Sequence, residues 1–541
     1  MRVELRCCLD KFFTALTWLI IFAIIIVLLL ILGPILSKGT SAVLFTDTVE
    51  FRKMQVALFS RGNEKQLFAE KNQTAAARQK VYDAIDNFKN GIDTKALTEK
   101  VRNLYRRCGQ ELRAKNLSNQ QYTEIRAILK DIRDRLEIAF ASNDKNKILE
   151  NIGYVIQYRQ DERFNGTSAH EFFTIAENFS KSVENTDLAK LSEYTKELQE
   201  VENLLTQLFG PRPGLPSAAT AINQFGATRL DLAQSLLDKI LWKEQWVTKE
   251  NQKSLVKTRT SRSQGFAGTQ IEPIFEYLKN DLDKMMLPKF KFYWQYFIDD
   301  STPGHYFGGI GPEILGTLLL TLLSMVFVIP LGVISAAYLT EFSSDNLIIK
   351  IIRICINSLA GVPSIIFGLF GLAFFVLFLL PAFGFASKPC ILTASMTLSI
   401  LTLPVMIRSS EEAIKAVPAT YKEASLALGA GKFKTFILVT LPAALPGILT
   451  GVILSLSRVA GETAPILFTG AVALGPVPRS IFDSTRTLSY GSYDMAVGDR
   501  LAMMVPHNQY GMVASLILLV LCLNAMAIIL RTKLFKRLHG H

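Results

Sequence analysis

Residues 423–429 read Glu-Ala-Ser-Leu-Ala-Leu-Gly, and residues 439–442 read Val-Thr-Leu-Pro. Both lie in a polar loop between two strongly apolar segments near the C-terminus. The pattern predicts a charged helix, a glycine turn and a second short helix between two membrane spans. Such an element is typical of a docking site at which a soluble motor protein grips a membrane pore.

The composition indicates a membrane protein that carries one large soluble insertion. The chain has 541 residues, of which 49% are hydrophobic, and its mean hydropathy of +0.26 is high for a soluble protein. Most charged residues lie in residues 37–306, and the remainder is nearly continuous apolar sequence. The net charge of +12 is dispersed, without a basic stripe interleaved with aromatic residues, so we expect no nucleic-acid partner.

Six segments are long and apolar enough to cross a bilayer, whose core needs about 20 helical residues. These predicted spans are residues 12–36, 311–340, 350–381, 390–409, 443–472 and 511–531. The first is too long for the apolar region of a secretory signal peptide, so we interpret it as an uncleaved anchor. A signal peptide is the alternative.

Basic residues flank both ends of the membrane part and predict its orientation. They are Arg2, Arg6 and Lys11 before the first span, and Arg531, Lys533, Lys536 and Arg537 after the last. Positive flanks favour the cytoplasm, and an even number of spans puts both termini on one side. The predicted parts are therefore 1–36, an extracytoplasmic insertion at 37–306, and a core at 307–541 with a cytoplasmic coupling loop at 410–442.

The insertion has helical periodicity. A Ser118…Gln121 capping box precedes apolar residues at helical spacing, namely Tyr122, Ile125, Leu129, Ile132 and Leu136. A second helix is predicted from near Thr186 to Gly210, before Pro211. We expect antiparallel helical hairpins. Docking of a binding protein, contact with a sister subunit and bridging to the cell envelope are all open roles for this insertion.

The common catalytic and metal motifs are incomplete, which predicts no catalytic residue and no metal site. His170-Glu171 lacks the second histidine of H-E-x-x-H, and the six cysteines show no C-x-x-C spacing. Gly431-Lys432 is followed by Phe433 rather than Ser or Thr, and position 426 is not glycine, so a phosphate-binding P-loop is excluded. We expect this chain to be no enzyme and to bind no cofactor, with ATP used by a separate chain.

Charges inside apolar segments are the sharpest chemical signal. Arg458 and Glu462 lie four residues apart in the predicted fifth span, on one helix face and within ion-pair reach. A charge at the centre of a spanning helix costs about 2.5–3.5 kcal/mol on insertion scales and so usually faces a cavity or a partner. Arg408 and Glu411 repeat the arrangement at the inner end of span four. A cation lining a pathway favours an anionic substrate; a structural ion pair at Arg458 and interfacial snorkelling at Arg408 are the alternatives.

Four motifs together carry a resemblance to a known family. They are the loop at 423–442, Gly-Ile-Gly-Pro-Glu-Ile-Leu-Gly-Thr at 309–317, Ala-Gly-Val-Pro-Ser-Ile-Ile-Phe-Gly-Leu-Phe-Gly at 360–371, and Arg-Val-Ala-Gly-Glu-Thr-Ala-Pro at 458–465. The loop resembles the EAA loop of ABC-importer permeases, with Ser425 in place of the usual second alanine. The set resembles the PstA family of permeases from phosphate-specific ABC importers. The resemblance covers about residues 290–535 and the first span, whereas members of the family have a far shorter segment in place of the insertion.

The resemblance implies an all-α membrane protein of the type I, MetI-like permease architecture, with six transmembrane helices and a large helical extracytoplasmic insertion. It implies a bacterial inner-membrane phosphate importer built with a PstC-like sister permease, a PstB-like ATPase dimer and a PstS-like phosphate-binding protein. The implied ATPase contacts are Glu423, Ala424, Gly429, Leu441 and Pro442. The implied pathway residues are Arg408, Glu411 and Arg458, to which the charge pattern adds Glu462.

Two alternatives remain open at the level of sequence. The first keeps the transporter class and changes the cargo to sulfate, molybdate or phosphonate, since arginine binds any tetrahedral oxyanion. The second is a membrane-anchored scaffold or sensor whose outer helical domain is the working part.

Overall fold

The computed structural model describes residues 2–92, 94–114, 118–142, 144–184, 191–213, 224–248, 255–302, 305–344, 346–497 and 506–539. The chain divides into two compact units. One contains residues 1–45 together with 291–541, and the other contains residues 46–290.

The chain begins with a long apolar helix and then enters the unit of residues 46–290. Helix α1 (Arg2–Thr40) contains the first candidate span, Lys11–Thr40. Strand β1 (Leu44–Asp47) follows, and it pairs with β4 (Lys289–Phe292), where the chain leaves that unit.

The unit of residues 46–290 is mainly helical, as predicted. Its helices are α2 (Val49–Phe59), α3 (Glu64–Ile92), α4 (Thr94–Ala114), α5 (Asn119–Ala141), α6 (Lys145–Ile156), α7 (His170–Glu184), α8 (Leu191–Phe209), α9 (Leu230–Leu241), α10 (Arg262–Gly265) and α11 (Glu272–Met286). One apolar core joins α4 to α7, and another joins α3, α8, α9 and α11.

Two predicted helix boundaries can be checked in this unit. The capping box between Ser118 and Gln121 is present at the start of α5, and the four aliphatic residues of its predicted face are buried. Helix α8 ends at Phe209, and Gly210 follows with a φ of +81°, a conformation that glycine adopts without steric cost. The predicted start near Thr186 lies outside the described residues.

A β-hairpin was not predicted from the sequence. Strand β2 (Trp242–Thr248) pairs antiparallel with β3 (Leu255–Ser261), with Trp242 opposite Ser261. The sequence Trp-Lys-Glu-Gln-Trp-Val-Thr is rich in residues that favour strands. This strand follows α9 directly, so the sequence shows no turn residue at which the helix would be predicted to end and the strand to begin.

A buried arginine holds several elements of this unit together. The Nε and Nη2 atoms of Arg78 donate hydrogen bonds to the Met285 carbonyl oxygen at 3.0 and 2.8 Å. Its Nη1 donates to Glu50 Oε1 at 2.8 Å and to the Phe209 carbonyl oxygen at 3.0 Å. Arg78 in α3 therefore ties α2 to the C-terminal ends of α8 and α11.

The remaining helices belong to the unit of residues 1–45 and 291–541, which we call the membrane unit. They are α12 (Gly311–Ala337) with a π-helical turn (Tyr338–Phe342), α13 (Leu347–Leu359), α14 (Ser364–Gly371) with a π-helical segment (Leu372–Leu379) and α15 (Leu380–Ala382), α16 (Ile391–Lys415), α17 (Ala419–Ala427), α18 (Lys432–Thr435) with a π-helical segment (Phe436–Thr440), α19 (Leu441–Gly461), α20 (Ala464–Thr469), α21 (Leu488–Val497) and α22 (Pro506–His539).

Six helices are long and apolar enough to cross a membrane, which confirms the predicted number among the described residues. They are Lys11–Thr40, Gly311–Phe342, Ser364–Ala382, Ile391–Lys415, Lys432–Gly461 and Pro506–Lys536. The chain is thus an all-α membrane protein with six candidate transmembrane helices and a large helical insertion.

The predicted bounds of two spans are wrong. The predicted span 350–381 is broken after α13, and the crossing helix begins at Ser364. Pro363 explains the break, because proline lacks a backbone N–H and disfavours the helical conformation of the residue before it.

The predicted span 443–472 begins earlier, at Lys432, and ends at Gly461. Glu462 has extended backbone angles, and the short helix α20 starts anew with a proline in its first turn. Apolar residues continue beyond this point, so a prediction from hydropathy alone places the end of the span too late.

Helix α16 lies at the centre of the membrane unit and packs against α12 and α19 through glycines. A Cβ atom at Gly332 of α12 would lie 2.4 Å from Met406 Cγ, and one at Gly451 of α19 would lie 1.9 Å from Ser409 Oγ. Small residues permit this close approach of spanning helices. The contacts fix the C-terminal half of α16, which carries Arg408 and Glu411.

Candidate functional site

The C-terminal end of α16 lies beside α13, and the two helices share polar contacts. Arg408 Nη1 donates a hydrogen bond to Asn357 Oδ1 at 2.6 Å, and its Nε lies 3.8 Å from Glu412 Oε1. Glu411 Oε1 lies 3.9 Å from Arg353 Nε. The expectation that Arg408 pairs with Glu411 is therefore wrong. Each residue has another partner: Arg408 contacts Asn357 and Glu412, and Glu411 faces Arg353.

A cavity of about 220 Å³ lies between α13 and α16. Its polar lining consists of Arg353, Asn357, Arg408, Glu411, Glu412 and Lys415. Three of these side chains are cations and two are carboxylates. The cavity can therefore attract a small anion while its own carboxylates partly neutralise it.

Arg458 and Glu462 lie within ion-pair distance, with 3.5 Å between Nε and Oε1. Their predicted depth inside the fifth span is wrong, because Arg458 lies in the last turn of α19 and Glu462 follows the end of that helix. Both side chains are partly exposed. The carbonyl oxygen of Glu462 accepts a hydrogen bond from Ser489 Oγ of α21 at 3.1 Å. A charge near a helix end costs less to insert than one at its centre.

The structure does not bring Arg458 and Arg408 together. A Cβ atom at Gly447 would lie against Ala413, and one at Gly451 against Ser409, so α16 and α19 are antiparallel. Arg408 is then level with about residue 452 of α19. Arg458 lies six residues further, which corresponds to roughly 9 Å along the helix. The two arginines occupy different levels of the same helix pair.

The polar loop between spans four and five contains α17, on which Glu423 and Ala424 are exposed. Gly429 follows with a φ of +83°. The predicted second short helix is not separate: α18 continues without a break into α19, whose first turn contains Leu441 and Pro442. These two residues are half-buried, unlike Glu423.

Two polar contacts fix α17 to the ends of neighbouring spans. Lys422 forms an ion pair with Glu341 in the π-helical turn after α12. The Ser425 and Thr435 hydroxyls lie 3.0 Å apart and share a hydrogen bond. A displacement of α17 would therefore be transmitted to both span two and span five.

Several large apolar side chains of this loop are exposed, like Glu423. Leu428 is 90% exposed and Phe433 is 69% exposed, and Tyr421 and Leu426 are exposed as well. A cluster of exposed apolar residues rimmed by charges is typical of a protein interaction site.

Sequence reasoning missed a buried charged cluster at the start of α12. Glu313 is fully buried, and its Oε1 lies 3.5 Å from Arg486 Nη1. Arg486 also donates to Ser301 Oγ at 3.0 Å and to Asp300 Oδ1 at 2.6 Å. The cluster ties the segment before α12 to the segment before α21. The available signal was the carboxylate of Glu313 at the start of an apolar segment. Glu313 lies in the motif at 309–317, which was interpreted only as part of the family resemblance.

Comparisons with known proteins agree on the family. Residues 328–540 match the family described as "Binding-protein-dependent transport system inner membrane component". The "Probable ABC transporter permease protein YqgI" of Bacillus subtilis is 34% identical over 246 residues, which cover 43% of this chain and 80% of that protein. The "Probable phosphate transport system permease protein PstA" of Methanocaldococcus jannaschii is 32% identical and is covered over 72% of its length, as against 37% of this chain.

Other matches are shorter or weaker. The "Phosphate transport system permease protein PstA 1" of Mycobacterium tuberculosis is 35% identical over 175 residues, so this chain spans about half of that relative, 55% of its length, and the match covers 32% of this chain. A chain of the inward-facing MetNI methionine ABC transporter is 19% identical, and the match covers 42% of this chain and 94% of that chain. The TM-score is 0.28. The relatives are transport permeases rather than enzymes. This chain belongs to the family of binding-protein-dependent transport system inner membrane components, and within it to the PstA-type permeases.

Proposed function

We propose that this chain is the transmembrane permease subunit of an ATP-driven phosphate importer. The observation that carries the proposal is the placement of Arg408 and Arg458 at two levels of α16 and α19, each beside a carboxylate. Guanidinium groups suit tetrahedral oxyanions because their planar donors match two oxygens at once. The relatives from M. jannaschii and M. tuberculosis, which are named as permeases of phosphate transport systems, support phosphate as that oxyanion.

In this proposal the chain forms the pore with a PstC-like sister permease in the inner membrane of a bacterial cell. Both termini are cytoplasmic, and the insertion lies outside, where a PstS-like binding protein delivers phosphate. The basic flanks of the first and last spans support this orientation.

A PstB-like ATPase dimer binds the coupling loop from the cytoplasm and uses ATP, so this chain itself needs no cofactor. The exposed Glu423 and the exposed apolar residues of the same loop support such a contact. Closure of the ATPase dimer moves α17. Lys422 and Ser425 pass that movement to Glu341 at the end of span two and to Thr435 at the start of span five. The pore then alternates between outward and inward access.

Reconstitution with the partner subunits in proteoliposomes tests this function. We expect ATP-dependent uptake of phosphate that excess unlabelled phosphate suppresses and that sulfate, molybdate and phosphonate leave largely unchanged. Suppression by one of those three anions with equal or greater potency would assign the cargo to it instead.

A variant of the loop separates a transporter from a membrane-anchored scaffold. Glu423→Ala removes the exposed carboxylate of α17 and should abolish ATP-driven uptake while leaving the complex assembled. Lys533→Gln, in the C-terminal part of α22, is the control and should transport normally. Uptake that persists in Glu423→Ala would contradict coupling through this loop.

A further inference from the structure

Helix α13 contributes polar side chains to the cavity beside α16 that no motif identified. Arg353 and Asn357 are four residues apart and so lie on one helix face. Asn357 accepts the hydrogen bond from Arg408, and Arg353 lies next to Glu411. The other face of α13 carries the exposed apolar residues Ile348, Ile351 and Ile354. The helix thus turns a cation and an amide towards α16.

The contact between Arg353 and Glu411 leaves hydrogen-bonding capacity unused. Arg353 Nη2 donates to the Leu339 carbonyl oxygen at 2.6 Å, which fixes the side chain. Its Nε lies 3.9 Å from Glu411 Oε1, a separation beyond hydrogen-bond reach. Both of these atoms are buried, and neither has a hydrogen-bond partner among the described residues. The two groups therefore attract each other without satisfying each other.

The same looseness holds for the other charges of the cavity. Arg408 Nε lies 3.8 Å from Glu412 Oε1. Lys415 lines the cavity, and it forms no ion pair with any residue that the structure describes. Two carboxylates thus stand against three cations, which leaves one positive charge in excess. Such a site is suited to an anion that can replace the carboxylates.

We propose that Arg353 and Asn357 complete, with Arg408 and Lys415, a binding site for a tetrahedral oxyanion. Glu411 and Glu412 act as placeholders in this site: their carboxylates face Arg353 and Arg408 until an oxyanion arrives. The arriving anion takes over the guanidinium donors and releases the carboxylates, which return when it departs. This inference rests on the proposed function, because it takes phosphate to be the anion that passes through the unit.

The exchange has a physical advantage over an uncompensated cluster of cations. An anion held by three cations with no competing carboxylate would leave slowly. Carboxylates that compete for the same donors lower the free energy of release, as a transport site requires. Removing a cation and removing a carboxylate should therefore change phosphate affinity in opposite directions.

Equilibrium binding of inorganic phosphate to the purified complex, without the binding protein, tests the inference. Arg353→Gln should raise the Kd for phosphate about tenfold or more, and Arg353→Lys should recover part of that loss. Glu411→Gln should lower the Kd and slow the turnover of uptake, because phosphate is held longer. Lys350→Gln, an exposed site on the same helix, is the matched control and should leave both quantities unchanged.

The opposite signs distinguish a binding role from a structural one. If Arg353 only anchors α13 to Leu339, then Arg353→Gln would reduce complex yield and ATP hydrolysis, and Glu411→Gln would not tighten binding; that result overturns the inference. So would a wild-type complex that imports phosphate yet shows no saturable phosphate binding. A wild-type complex that neither imports nor binds phosphate contradicts the proposed function itself.

Discussion

At the scale of single residues, Arg458 and Glu462 lie at the end of a helix rather than in its middle. The helix that carries the arginine stops one residue before the glutamate. A half-exposed ion pair of this kind contributes little to stability. We therefore propose that Glu462 lowers the positive charge that Arg458 presents to an anion.

Glu462→Gln should slow the release of phosphate and reduce the turnover of uptake about tenfold, equivalent to ~1.4 kcal/mol. The reason is that Arg458 then keeps its full charge for the anion. Turnover and retained phosphate are measured in the reconstituted importer, with Glu276→Gln in the helical unit as the control. Unchanged turnover and retention in Glu462→Gln would refute this role.

Cys108 offers a prediction outside the membrane. Burial, together with the nearby Glu111 carboxylate, raises the pKa of its thiol to about 12. A thiol reagent at pH 8 should therefore modify the same number of cysteines in native wild-type protein and in Cys108→Ser, because the thiolate is the reactive form. After denaturation the wild type should show one more reactive thiol. A difference already in the native state would contradict the prediction.

At the scale of elements, the sequence was sufficient for the number of spans and for the helix and glycine turn between spans four and five. It was not sufficient for helix ends inside apolar runs. Apolar sequence resumes after Gly461 and after residues 360–363, whereas the helical backbone is interrupted at both places. The contacts of α13 could not be predicted either, because hydropathy does not fix which face of one helix meets its neighbour.

Gly429 provides an element-scale prediction with a close control. Its φ of +83° costs a residue with a side chain about 1–2 kcal/mol. Gly431 has a φ of −70°, and a Cβ atom at either glycine would have no neighbour within 4 Å. Gly429→Ala should therefore distort the turn and reduce ATP-driven uptake, while Gly431→Ala should not. Equal effects of the two substitutions on uptake would show that backbone conformation is not the cause.

At the scale of the whole molecule, the helical unit of residues 46–290 has its own cores and its own buried ionic centre. Helices α5 and α8 could be predicted from periodicity because apolar residues recur on one face of each. The centre could not, since Glu50, Arg78 and Met285 are far apart in the chain and only the tertiary fold joins them.

Acid should destabilise this unit through Glu50. Burial opposes ionisation, but the charges of Arg78 and Lys53 outweigh it and hold the pKa of the Glu50 carboxyl below its usual range. A carboxyl with a lowered pKa stabilises the fold above its ordinary pKa, and this contribution is lost as the pH falls through the lowered value. The protection factors of amide hydrogens in α2 and α3, measured relative to the intrinsic exchange rate at each pH, should therefore fall below about pH 4.

The matched variant for this test is Glu50→Gln. It should exchange faster at neutral pH, because a buried partner of Arg78 is lost at a cost of about 3–5 kcal/mol. It should also be less sensitive to acid than the wild type. An acid response as large as that of the wild type would assign the effect to other carboxyls.

The spanning helices differ greatly in how many of their residues are buried within this chain. In an apolar stretch of 18 residues, 67% of the residues are buried in α16 and none in α1. Within this chain only hydrophobicity constrains the side chains of α1 along that stretch, so contacts inside the chain allow many apolar sequences there. Along α16 each side chain must also fit its neighbours. In a saturation mutagenesis library, exchanges among leucine, isoleucine, valine and phenylalanine should survive selection throughout residues 12–32 and be depleted at the buried positions of α16. Sequence drift among natural variants would then be concentrated in the first span.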